Sequence, residues 1–210
     1  GCNVAVVNHP IIFRGLKKIN GKNYVERTII DAIRNNIAIY AIHTNLDNVL
    51  LNGVNERIAH QLGLQNLQIL APKKDLTSGF DQNIGAGIIG NLTTPMPERD
   101  FLSKIKEKMG AGVVRHTELL GRTVKKVAVC GGSGSFLLQD AISAGADVFV
   151  TADFKYHEFF DADGQTVIAD IGHFESEQFT INLLYELCSE KFATFALHLT
   201  KTRTNPVFYL

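Results

Sequence analysis

Lys125-Lys126-Val127-Ala128-Val129-Cys130-Gly131-Gly132-Ser133-Gly134-Ser135 decides the fold class: a largely apolar, β-branched run stops at a glycine-rich turn and gives way to helical spacing from Phe136 to Ala144. A second apolar run, Asp147 to Thr151, follows at once. Strand, turn, helix, strand is the pattern of a crossover unit in an α/β sheet. Outward from it the same grammar repeats. Asn3 to Val7, Ile37 to Ile42 and Gln165 to Ile171 read as further strands, and Tyr24 to Asn35, Val54 to Leu62, Pro97 to Met109 and Ser176 to Lys191 as amphipathic helices. We expect two α/β lobes with mixed, mostly parallel sheets packed by helices. The first spans 1–71 and the second 98–210. Between them, 72–97 is rich in Gly, Asn, Thr and Pro and reads as a loop-rich crossing. The first residues, Gly-Cys-Asn-Val, enter a strand without a leading Met, so an N-terminally truncated first lobe is expected.

Composition narrows the function. With 210 residues and 45% hydrophobic side chains the chain can bury a substantial core. Twenty-one basic residues balance 21 acidic ones, so no global field draws in nucleic acid or an anionic membrane, and recognition of a charged ligand has to be local. Cys2, Cys130 and Cys188 are an odd number at wide spacing with no CxxC pair, which argues against a disulfide framework and a zinc ribbon. A reducing cytoplasm is the expected compartment. No apolar run approaches the ~20 residues of a membrane helix, and no secretory leader opens the chain.

Polar clusters sit where strands end, the place at which open α/β sheets form ligand crevices. Val4 to Val7 ends at Asn8-His9-Pro10, and Ile37 to Ile42 at His43-Thr44-Asn45-Leu46-Asp47. A lone His at a strand end more often packs or hydrogen-bonds than ligates, and a lone Asp in such a loop more often caps a turn or helix. Thr166 to Ile171 leads into Gly172-His173-Phe174-Glu175-Ser176-Glu177, where His173 and Glu177, four apart at a helix start, share one face. That spacing lets an imidazole and a carboxylate share an ion, and it equally suits acidic side chains placed on a helix N-terminus. Gly131-Gly132-Ser133-Gly134 either makes a tight strand-to-helix turn or cradles a phosphate; it lacks the Walker lysine. Thr151 to Glu158 is a further polar cluster after a strand, suited to substrate contact or to a solvated loop.

Taken in order, Asn8-His9-Pro10 with Ile11-Ile12-Phe13, His43 to Asp47 with Gly53-Val54-Asn55, Gly131 to Gly134, Thr151 to His157, and Gly172-His173 with Ser176-Glu177 resemble the GTP cyclohydrolase 1 type 2 homologues, also called the Ngg-interacting-factor-three-like proteins. The resemblance spans nearly the whole chain. It implies a two-lobed α/β fold, a toroidal homo-hexamer, and a dinuclear metal centre facing the internal cavity. Family ligands come from a His-His-Pro motif, from the Asp of the second motif, and from the His and Glu of the last. Carried onto this sequence they fall on His9, Asp47, His173 and Glu177, with Asn8 where the family usually has its first His. An amide oxygen is a weaker ligand for a borderline metal than an imidazole, so one of the two sites is expected to be weakened. The family pattern also implies a further α/β stretch before Gly1, and the direct path from Leu70 to Ile89 makes this a form without the inserted small domain of many relatives.

What the resemblance implies for function is a metal-dependent hydrolase of the GTP cyclohydrolase type, acting on a nucleotide or related small molecule. Up to two divalent ions would activate a water. Zinc, iron, manganese and nickel suit such ligands alike. His43 and His157 are the candidates for proton transfer, and Gly132, Ser133, Gly134, Thr151 and Lys155 for substrate binding. The alternative is a scaffold that binds metal without turnover and acts through protein partners.

Overall fold

A computed structural model of the chain describes residues 1–75 and 79–210. At its start, β1 (Val4–Val7) and β2 (Ala38–Ala41) pair in parallel, Val4 opposite Ala38 and Val7 opposite Ala41, joined by helix α1 (Tyr24–Arg34). The helix begins where it does because Asn23 caps it. The Asn23 side chain accepts from the Glu26 N–H at 2.9 Å, while the buried Glu26 carboxylate accepts from Asn20 N–H, Lys22 N–H and Asn23 Nδ2. Two short helices follow, α2 (Thr44–Asp47) and α3 (Val54–Leu62).

The larger sheet has six strands in the order β3-β4-β6-β7-β8-β5: β3 (Leu64–Asp75), β4 (Gly79–Pro97), β5 (Arg115–His116), β6 (Thr123–Ser133), β7 (Val148–Ala152) and β8 (Val167–Asp170). The sheet is mixed. Its centre, β6-β7-β8, is parallel, and antiparallel strands flank it on both sides. The central strands are buried on both faces, and alternation sorts their side chains into two cores. Val127, Val129, Val148, Val150, Val167 and Ala169 face one core, with Ile58, Leu62 and the helix α4 (Glu98–Lys108) residues Phe101 and Ile105; α7 (Thr180–Lys191) adds Leu183. Ala128, Cys130, Phe149 and Ile168 face the other, with Leu138 and Ala141 of α5 (Leu138–Ser143). Because β6, β7 and β8 run the same way, their carboxyl ends line one edge. Helix α6 (His173–Glu177) starts on that edge.

The strands and helices expected from spacing are present with ends shifted by a few residues, except that the helix expected over 176–191 is two, α6 and α7, and that expected over 136–144 opens with a 3-10 turn before α5. The expectation for 72–97 is corrected. Apart from the three residues outside the described set, this stretch is strand, the end of β3 and all of β4. Its glycines are there for backbone approach rather than for a loop. A Cβ at Gly85 would collide with the Ala71 carbonyl oxygen and lie 2.7 Å from Pro72 Cα, and Gly87, at φ +64°, would place one 2.9 Å from Leu137 Cδ1. Gly/Pro density signalled bulged pairing, which the register of β3 on β4 also shows between Pro72 and Lys74. Since neither backbone atom facing Gly85 can retreat cheaply, Gly85→Ala should lower the free energy of unfolding by about 1–3 kcal/mol. Gly15→Ala, which meets nothing within 4 Å, should change it by less than about 0.5 kcal/mol. Urea denaturation of both variants checks the contrast.

Candidate metal centre

Two elements near the start of the chain and one near its end supply the site. The ends of β1 and β2 are held level by hydrogen bonds from Ile42 N–H to Val7 O (3.1 Å) and from His43 N–H to Asn8 O (2.9 Å). Asn8 and His9 therefore leave β1 beside the point at which β2 turns into α2. His43 makes that turn in an uncommon backbone conformation, φ 44° and ψ −131°, and Asp47 closes the helix. From the second half, α6 presents His173 and Glu177 on one face, one turn apart. Ser176 locks this turn by donating to His173 O at 2.8 Å and accepting from the Gly132 N–H at 2.9 Å.

These elements meet around one carboxylate oxygen. Glu177 Oε2 lies 3.0 Å from His9 Nε2, 3.4 Å from His173 Nε2 and 3.3 Å from Asn8 Nδ2, and the two imidazole nitrogens are 3.3 Å apart. His9, His173 and Glu177 thus offer three ligand atoms within 4.8 Å of one another, a group that can hold a metal ion. The His43 ring packs edge-on against His9, centroids 5.5 Å apart, and Phe13 completes a triangle of rings, 5.8 Å from His43 and 6.5 Å from His9. On its far side His173 gives Nδ1 to Asp153 Oδ2 at 2.7 Å.

The electrostatics are those of a site arranged for positive charge. Asp47 is pushed up to about 6, first by burial and then by the neighbouring Glu177 carboxylate. Burial also pulls Glu177 upward, but hydrogen bonds from His173 and His9 outweigh it and hold the group at about 2. His173 rises to about 9, because its hydrogen bond to Glu177 outweighs desolvation, with Asp153 adding to the effect. Two buried oxygens, Asp47 Oδ1 and Asn8 Oδ1, accept no hydrogen bond from any described residue. Buried acceptors of this kind call for a donor or a cation.

The sequence of residues 1–206 matches the family described as Duf34/NIF3 (NGG1p interacting factor 3). The chain belongs to this family. Among its NIF3 relatives, the GTP cyclohydrolase 1 type 2 homolog of Clostridium perfringens is 34% identical over 178 residues, covering 84% of this chain and 66% of the relative. The homolog of Lactococcus lactis is 28% identical over 215 residues, 99% of this chain and 77% of the relative. Among solved structures, a Staphylococcus aureus hypothetical protein superimposes with a TM-score of 0.89 at 28% identity, over 99% of this chain and 80% of that one. A Bacillus cereus protein related to NIF3 gives 0.86 at 25%, over 99% and 83%. The chain therefore spans about two thirds to four fifths of these NIF3 proteins.

The remaining residues singled out in the sequence divide. Gly132 sits against the site, yet its N–H is already given to Ser176, and the Gly131 N–H goes to Asn55 Oδ1 at 2.8 Å. These two amides are thus spent within the chain, where they tie the turn to α6 and α3. Thr151 is fully buried and donates to Gly132 O at 3.2 Å, holding the same turn, and Gly134 leaves room for it, since a Cβ there would strike Thr151 Oγ1. Ser133 is exposed. Lys155 pairs with Glu158 at 3.7 Å and His157 packs on Tyr156; among the described residues neither side chain meets the cluster. Sequence reading missed the roles of three residues: Asp153 as a partner of His173, Ser176 as a lock, and Asn55, which is 2% exposed and bridges the Asp47 carbonyl and the Gly131 amide. Each lies inside a motif already singled out, and only the partner it meets across the fold marks its role.

Two outcomes follow from the geometry. A Cβ at Gly132, where φ is +65°, would press on Glu177 Oε1 and lie 3.2 Å from His173 Cε1. The carboxylate can swing aside, so Gly132→Ala should cost only about 1 kcal/mol of stability for the left-handed backbone while weakening metal binding at least about tenfold; calorimetric titration beside thermal melts separates the two. Below about pH 9 metal-free His173 carries a proton on the nitrogen facing Glu177, and an ion has to displace it. Apparent affinity should therefore climb as pH rises toward about 9 and flatten above it, with proton release seen by titrating in buffers of different ionisation enthalpy.

Proposed function

We propose that this NIF3-family chain binds divalent metal as a dinuclear centre between His9, Asp47, His173 and Glu177, with Asn8 as a weak oxygen donor, and uses it to hydrolyse a nucleotide or related small molecule in the manner of a GTP cyclohydrolase. The observation that carries the reading is the pair of buried, partnerless oxygens, Asp47 Oδ1 and Asn8 Oδ1, beside three clustered ligand atoms. Imidazole with carboxylate oxygen is a donor set that fits zinc, iron, manganese or nickel. The names of the curated relatives support the reaction class.

When bound, divalent ions lower the pKa of a water and polarise an electrophile. The chain's own residues do the rest. Glu177, nine-tenths buried as a side chain, supplies an oxygen that His9 and His173 already orient. Asp47 supplies negative charge whose cost of burial a cation repays. His43 would carry a proton to or from the reacting atoms, a role supported by its ring contact with His9. The exposed face of the cluster, where the His9 and His173 side chains are about 40% accessible, gives a substrate its approach. Assembly into a homo-hexamer belongs to the same proposal, and light scattering tests it.

Asn8 sets the expected stoichiometry. Its amide nitrogen, turned to Glu177, is not a ligand atom, and its oxygen binds borderline metals weakly. Protein loaded and then dialysed should keep about one ion per chain, and Asn8→His should raise this to about two. Elemental analysis reads both. Asp47→Ala should abolish turnover while leaving the elution volume unchanged. Loaded wild-type protein that binds its ion but turns over neither GTP nor a panel of nucleotides would sink the hydrolase reading and leave a metal-binding protein.

A further inference from the structure

Resting on the metal reading, we infer that Asp153 is a positioning residue: its carboxylate accepts a hydrogen bond from His173 Nδ1 and thereby fixes the ring with Nε2 turned to the ion. Asp153 lies just past the carboxyl end of β7, at φ 60°, a left-handed conformation that Asp tolerates better than most residues. The conformation turns its side chain toward the edge of the sheet at which α6 begins. There Oδ2 sits 2.7 Å from His173 Nδ1, a short, charge-assisted distance.

The chemistry of the pair settles which nitrogen is which. An ionised carboxylate can only accept, so Nδ1 carries the proton and donates. In the neutral imidazole that ligates metals the lone pair is then on Nε2. Nε2 is the atom that lies 3.3 Å from His9 Nε2 and 3.4 Å from Glu177 Oε2, on the cluster side of the ring. Nothing else among the described residues hydrogen-bonds Nδ1. Without Asp153 the ring could take the other tautomer, with Nε2 donating to Glu177 of α6 and Nδ1 left bare. Lys155, the nearest cation in sequence, is paired with Glu158 and does not compete for the Asp153 carboxylate.

Two substitutions respect the positive φ and so leave the backbone undisturbed. Asp153→Gly removes the acceptor. Asp153→Asn keeps an acceptor oxygen but not the charge. Zinc titration of the full chain should show binding weakened about 10- to 100-fold in the glycine variant, with the asparagine variant falling between it and the wild type. In proton–nitrogen correlation spectra of zinc-loaded protein with labelled histidine, His173 should be protonated at Nδ1 in the wild type and Asp153→Asn, and should lose that uniform state in Asp153→Gly. Melting temperatures of the metal-free proteins should agree. A glycine variant that binds zinc within twofold of the wild type, or wild-type His173 found protonated at Nε2 with the ion bound, overturns the inference. Wild-type protein that takes up no zinc, manganese, iron or nickel overturns the metal reading instead.

Discussion

The Glu177 carboxylate is the constraint on which the rest of the site depends. Two imidazoles and an amide converge on one of its oxygens, so two segments far apart in the chain, Asn8-His9 and α6, are held together by a single ionised carboxylate. Concentrating so many donors on one buried acceptor is unfavourable in isolation, since desolvation opposes the ionised form. It persists because His9 and His173 oppose that desolvation more strongly. Asp47 shows the other side of the same field: a second carboxylate in this neighbourhood is forced toward neutrality until positive charge arrives.

Around this centre the scaffold does conventional work. A parallel three-strand core buried on both faces fixes one edge to within the tolerance of packed side chains, and the carboxyl ends of β6, β7 and β8 deliver Gly132, Asp153 and His173 to it. Polar locks then trim the geometry. Ser176 couples α6 to the Gly132 turn, and Asn55 couples α3 to both the Asp47 backbone and Gly131. Both locks run through backbone amides and carbonyls, so they are insensitive to pH and leave the charged side chains free for chemistry.

How much of this was legible from the sequence follows from what kind of interaction places each residue. The strand-to-helix rhythm from Lys125 onward is local, and so the parallel core was readable. His173 and Glu177 were paired by spacing alone, because a helix turn guarantees their proximity. His9 and Asp47 were reachable only through the order of motifs, since no local rule brings β1 to α6. The long β3-β4 pairing was misread because glycine and proline mark loops and bulged strands alike, and the deciding contact, Gly85 against Ala71, lies across strands. The glycine turn invited a phosphate because its N–H groups looked free. Asn55 and Ser176, which take two of them, come from 76 and 44 residues away.

Separation along the chain has a further consequence. Asn8 and His9 meet their partners on α6 across 169 and 164 residues, among the most non-local contacts the molecule makes. Loop closure of that length is entropically deferred and comes after local structure. During synthesis the emerging chain thus carries its first imidazole long before the second imidazole and the carboxylate exist. On the proposed metal-binding reading, a nascent or half-folded molecule holds only part of the chelating set, and uptake of a cation would report that α6 has docked.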